Sequence, residues 1–155
     1  MLTSRRQASV VKALKSFDQF RGYKTAQLRD VGRLADQVKV GAGEILVREG
    51  QFGKEIYLIL SGSVEVTQKG RLANVLGPGD FFGEQAALTR GRTRNDTVTA
   101  LSQLELLIIG RREFNALLDI PEFRDALLRK MANRLQAVDA QLAIAARWLE
   151  AKDQP

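Results

Sequence analysis

Glycine spacing limits the fold of this chain more than any other feature. Eleven of its thirteen glycines fall between Gly41 and Gly110, and short β-prone runs separate them. Residues 38–40, 44–48, 55–60, 63–68, 71–76, 95–100 and 104–109 read as strands. Lys69-Gly70 is a compact hairpin turn between two of these runs. Many short strands with closely spaced turns imply a sandwich, jelly roll or barrel.

Both flanks of this block have helical texture. Over residues 1–35, Ser4-Arg5-Arg6-Gln7 has capping-box spacing, and Val10, Val11, Leu14 and Phe17 follow at helical intervals. Thr25 is placed to cap a second short helix with Leu28, Val31 and Leu34 on one face. Past Gly110, residues 111–118 form a short helix, and Pro121 suits the first turn of another. Nothing breaks that helix before about Lys152. Along it, Leu128, Met131, Leu135, Val138, Leu142, Ala145 and Leu149 alternate at spacings of three and four. This is an a/d seam of about three heptads, suited to packing on the chain's own barrel or to self-association. The expected class is α+β: a β-roll or jelly-roll barrel of about eight strands, flanked by N-terminal helices and a long C-terminal helix. The expected divisions are 1–35, 36–110 and 111–155.

Composition removes whole classes of chemistry. With no cysteine and no histidine, disulfides, thiolate metal sites, the usual zinc and iron centres and any histidine base are excluded. Metal-dependent cupins share this strand texture, but they need histidine or carboxylate clusters. The fractions, 45% hydrophobic and 27% charged, are those of a globular protein. The formal charge of +6 favours anions, yet 18 acidic residues accompany the basic ones, so a solvated mixed surface is expected. There is no secretory apolar segment and no run long enough to span a bilayer, so the expectation is a soluble, cytoplasmic chain.

The stretch with chemical content is Leu76 to Ala100. Gly77-Pro78-Gly79-Asp80 is a turn, because glycine permits positive φ and proline presets φ. Phe82-Gly83-Glu84-Gln85-Ala86-Ala87-Leu88 permits a tight bend into one helical turn, whose free N–H groups would make an anion site. Arg94 stands ten residues after Glu84. A carboxylate, bare amides and an arginine together can hold a ribose hydroxyl beside a phosphate, which reads as a cyclic-nucleotide pocket.

The order of elements resembles the cyclic nucleotide-binding domain family, which includes the catabolite activator protein, protein kinase A regulatory subunits and cyclic-nucleotide-gated channels. Glu49-Gly50-Gln51-Phe52-Gly53 followed by Ile56-Tyr57-Leu58-Ile59-Leu60-Ser61-Gly62-Ser63-Val64 looks like the family's first hairpin. Leu76-Gly77-Pro78-Gly79-Asp80-Phe81-Phe82-Gly83-Glu84 looks like its turn into the phosphate-binding cassette, here 76–100. The resemblance implies that Glu84 accepts from the ribose 2′-hydroxyl and that Gly83 adds a backbone contact. It implies that amides of Gln85, Ala86 and Ala87 face the cyclic phosphate, with Arg94 pairing its charge and Asn95 assisting. Val66, Ala73 and Leu76 would wall the base, and Arg134 would reach the purine from the long helix, where a guanidinium can stack.

Three departures from the family pattern involve four positions. Thr93 replaces a proline of the kinase-type cassette. Asp96 stands where alanine is usual, two residues past Arg94; a carboxylate there can compete with phosphate for the guanidinium. Val138 and Asp139 replace two hydroxyl residues of the catabolite activator protein's dimer helix. Two readings follow. One is a cAMP or cGMP sensor that signals through its C-terminal helices, with a homodimer through the long helix and an unidentified effector as partners. The other is an interaction module that keeps the fold without binding nucleotide. Neither needs a catalytic group, a metal or a cofactor. DNA is not expected as a partner, because the chain as given ends at Pro155 without room for a helix-turn-helix after the long helix.

Overall fold

Two of the apolar runs, at 56–61 and 104–109, are nearly continuous, and they form the centre of one of two sheets. The computed structural model of the chain describes residues 2–17, 20–83 and 93–152, excluding the side chains of 2–7, 134, 137–142 and 152. Among the described residues, helices α1 (Leu2–Lys15) and α2 (Thr25–Arg33) precede eight strands. The strands are β1 (Ala35–Val40), β2 (Ile45–Val47), β3 (Ile56–Ser61), β4 (Val64–Gln68), β5 (Arg71–Leu76), β6 (Phe81–Phe82), β7 (Thr97–Ala100) and β8 (Leu104–Ile109). Helices α3 (Arg111–Leu118) and α4 (Pro121–Lys152) follow. The α+β roll expected from the sequence is therefore observed.

One antiparallel sheet has the order β1-β8-β3-β6 and the other β2-β7-β4-β5. The central strands β8 and β3 of the first are covered on both faces, which is why they are apolar except for Glu105 and the terminal Ser61. Ile56, Leu58, Leu107 and Ile109 face the helices and join Val10, Leu14, Phe20, Leu28, Phe114, Leu117, Phe123 and Leu127. Ile59, Leu104 and Leu106 point the other way, into the roll, against Val40, Val47, Val64, Val66, Leu76, Phe82, Val98 and Ala100. The second sheet has one solvated face, so β4 alternates between buried and partly exposed positions. Burying a leucine-sized side chain in either core stabilises the fold by about 1.5–3 kcal/mol.

Local expectations at the N-terminus are corrected. The first helix already runs from Leu2, so Ser4 lies inside it and is not its cap. Lys24, not Thr25, is the residue that caps α2, and its N–H donates to Gln27 Oε1 at 2.8 Å. Gly32 does not interrupt α2. A Cβ there would come within 3.2 Å of Val10 Cγ1, so the glycine lets α1 and α2 pack closely. Strand β7 starts at Thr97, two residues later than the β-prone run begins, because the backbone bends at Asn95.

Candidate functional site

The site is built outward from a type II turn. Pro78 sets the first central φ, Gly79 takes the second at +87°, and the Asp80 N–H donates to the Gly77 carbonyl at 3.0 Å. Two residues of strand follow, Phe81 and Phe82, pairing with Leu58 and Tyr57. Gly83 then turns the chain with φ +84°. A side chain there would also collide with the Glu55 carbonyl and the Arg94 guanidinium, each 2.8 Å from where its Cβ would stand. Glycine is required at 83 on both counts. Glu84, Gln85, Ala86 and Ala87 lie outside the described residues.

Arg94 is held at both ends. Its N–H donates to the Gln51 carbonyl and its carbonyl accepts from the Gly50 N–H, both at 2.8 Å, while Thr93 bridges Phe52. The side chain is buried, at 7% exposure. Its guanidinium lies across Gly53, donating through one terminal nitrogen to the Gly83 carbonyl at 3.1 Å and through the other to the Glu55 carbonyl at 2.9 Å. A guanidinium has five N–H groups, so two carbonyls leave donors to spare. Among the described residues its ion pair is with the half-exposed Glu55 carboxylate, at 3.8 Å. Arginine is thus preorganised beside Gly83 with charge that a phosphate can take up bidentately.

Tyr57 stacks on Phe82, with ring centroids 4.7 Å apart and planes 6° off parallel, and forms one wall beside this arginine. Loss of water raises the Tyr57 phenol above its ordinary pKa. The Glu55 carboxylate adds to that shift and Arg94 opposes it. The phenol is therefore a neutral hydrogen-bonding group at physiological pH.

Asp96 does not share the arginine's partners. Its Oδ1 accepts from Gln68 Nε2 at 2.5 Å, across the β4–β7 pair. The bend at Asn95 breaks the strand alternation that would have made Asp96 the same-face neighbour of Arg94. Asn95 itself is exposed at that bend.

The residues proposed for the base are only partly gathered. Val66 and Leu76 are buried on the inner face of the second sheet, with Val66 opposite Val98. Ala73 is exposed and sits at the register shift where Leu72 pairs with Thr67 and Asn74 with Val66, apart from the other two. Arg134 lies in α4, with its side chain outside the described set. Sequence reasoning missed Gly53 and Glu55, which seat the guanidinium. Gly53 was visible within the Glu49–Gly53 motif, whereas nothing in the sequence pointed to the Glu55 carbonyl, 39 residues from Arg94.

The family model described as cyclic nucleotide-binding domain matches residues 37–120, more than half of the chain. The chain belongs to this family. It is 36% identical over 109 residues to the cAMP-dependent protein kinase regulatory subunit of Schizosaccharomyces pombe, covering 70% of this chain and 25% of that protein. It is 28% identical over 130 residues to the CRP-like cAMP-activated global transcriptional regulator of Mycobacterium tuberculosis, covering 80% and 58%. Among solved structures, the Thermus thermophilus catabolite activator protein superposes with a TM-score of 0.70 at 27% identity, covering 83% of this chain and 63% of that one. The chain thus spans between a quarter and under two thirds of these relatives' lengths. No helix among the described residues is long and apolar enough to cross a membrane.

Proposed function

We propose that the chain is a sensor module for a cyclic nucleotide, cAMP in the first place and cGMP in the second. The observation that carries this reading is Arg94, buried and braced on the Gly83 and Glu55 carbonyls at the threshold of the cassette. In the bound complex Arg94 pairs with the cyclic phosphate, assisted by Asn95 and by amides of Gln85, Ala86 and Ala87. Glu84 accepts from the ribose 2′-hydroxyl, with a backbone contact from Gly83. Val66 and Leu76 contribute the apolar wall for the base, and Arg134 stacks on it from α4. The relatives named above, a kinase regulatory subunit and a transcriptional regulator, are both described by their cAMP dependence, which supports cAMP over cGMP.

Binding acts as a population shift. The phosphate orders the turn after Gly83, apolar packing then repositions α3, and α4 follows by closing over the base or by changing a dimer seam. None of these steps breaks a covalent bond, so the module is regulatory rather than enzymatic, and it works in the cytoplasm on an effector. The best argument for a non-binding interaction module is Asp96 competing for Arg94, and the Gln68–Asp96 hydrogen bond argues against that competition.

Calorimetric titration of Arg94→Ala and Glu84→Ala variants tests the pocket. A charge-assisted hydrogen bond contributes about 1.5–3 kcal/mol, so Arg94→Ala should weaken cAMP by about one to two decades. Glu84→Ala should weaken it too. Unchanged affinity in both variants rejects the site.

A further inference from the structure

Lys130 is the one α4 cation that the described ion pairs and hydrogen bonds tie to the roll. Its Nζ lies 3.0 Å from Asp80 Oδ1 and also donates to the Gly79 carbonyl, in the turn that leads to the cassette. Both side chains are about a quarter exposed, whereas the Arg33–Asp30, Lys39–Glu105 and Arg124–Asp125 pairs are longer and more solvated. Screening by salt is weaker for partly buried charges than for solvated ones, so this contact carries more energy than the surface pairs.

The turn that Lys130 grips is fixed from several sides. The second carboxylate oxygen of Asp80 accepts from the Gly77 N–H at 2.9 Å. The Gly79 N–H donates to the Ile59 carbonyl at 2.9 Å, and the Ile59 N–H donates to the Asp80 carbonyl at 3.0 Å. Phe17, just past α1, lies against Gly79 so closely that a Cβ there would stand 3.1 Å from its ring. Only Phe81 and Phe82 separate Asp80 from Gly83, whose carbonyl receives the Arg94 guanidinium. On the helix side, Arg134 stands four residues beyond Lys130, one turn further along α4.

We infer that Lys130 and Asp80 form a clasp that positions α4 on the cassette turn, so that the phosphate end and the base end of the site are held as one body. This inference rests on the proposed nucleotide site and adds the coupling between its two halves. Two apolar residues of α4, Phe123 and Leu127, already anchor the start of the helix in the core. The clasp extends that anchorage past Leu127 by a polar contact, on a stretch of helix whose Leu128 and Leu135 are already 57% and 62% exposed. Lys130 and Asp80 are positioning residues: they act on the ligand through Gly83 and through the placement of α4.

The test uses the full chain with Lys130→Met, Asp80→Asn, and the exchanged pair Lys130→Asp with Asp80→Lys. Met keeps the aliphatic stem of Lys130, and Asn keeps an acceptor for the Gly77 N–H. Hydrogen exchange is read first, without nucleotide. Both single variants should exchange faster over residues 126–136, and the exchanged pair should recover part of the protection. Titration with cAMP is read second. Each single variant should bind at least about fivefold more weakly, the lower end of ordinary coupling between sites, with partial recovery in the exchanged pair. Unaltered exchange in the single variants overturns the clasp. Faster exchange with unaltered cAMP affinity overturns its coupling to the site. Faster exchange in a chain that binds no cAMP even as wild type leaves the clasp standing and sinks the nucleotide reading instead.

Discussion

A buried arginine is costly unless its charge is used, and the seat of Arg94 fits such a use. Its guanidinium fills the space above Gly53, where a Cβ would stand 2.1 Å from Nε. Gly53 has no positive φ, so alanine there is tolerated by the backbone and harmful only to the arginine. Gly53→Ala should therefore expel Arg94 and weaken cAMP to nearly the extent that Arg94→Ala does, as read by calorimetry; wild-type affinity in Gly53→Ala would show that the seat is unnecessary. Asp96→Ala is its counterpart. With the carboxylate engaged by Gln68, the change should alter affinity by less than about twofold, and a tenfold gain would mean that Asp96 does compete for Arg94. At this scale Arg94 and Gly83 were legible because their residue types carry the chemistry. Glu55 was not, because it meets Arg94 chiefly through a backbone carbonyl that any residue could supply, with its carboxylate further off at 3.8 Å, across 39 residues of chain.

At the scale of elements, the strand block and helices were readable because glycine, proline and apolar period mark them directly. Strand β6 was not readable: two phenylalanines carry no period, and they become a strand only by pairing with Tyr57 and Leu58. The late start of β7 was hidden for a related reason, since the bend at Asn95 depends on Arg94 being drawn to Gln51 and Glu55. Packing between elements also sets a pH dependence. Tyr23, between α1 and α2, meets Phe20 edge-on at 5.4 Å. Loss of water pushes its phenol up to about 12, the Glu122 carboxylate adds to the shift, and the Phe123 N–H opposes it. The folded state thus keeps the proton longer than the unfolded chain, whose tyrosine titrates near 10. Stability from this group is complete below pH 10 and is lost as pH rises from 10 towards 12. Urea melts across that range should show a shallower decline in Tyr23→Phe; parallel declines would contradict the assignment.

For the whole molecule, the open question is what covers the far part of α4. Leu128, Leu135, Ile144, Trp148 and Leu149 are all more than half exposed in the single chain. The heptad seam read from the sequence includes three of these five, so the seam outruns the roll, as its spacing suggested. Self-association along this helix predicts a dimer by light scattering, with Leu135→Glu and Leu149→Glu together returning it to monomer. A wild-type monomer at about 100 μM would leave α4 as a lid alone, since a biological interface of ordinary strength persists at that concentration. The effector could not be read from the sequence, because residues suited to holding a nucleotide carry no information about what α3 and α4 touch.

A sensor of this kind must hold a cyclic nucleotide in its cassette. Titration calorimetry of the purified wild-type chain with cAMP, and in parallel with cGMP, measures this directly. The prediction is saturable heat with one site per chain, tighter for cAMP, and lost by about one to two decades in Arg94→Ala. No heat and no thermal shift with either nucleotide at millimolar concentration would contradict it.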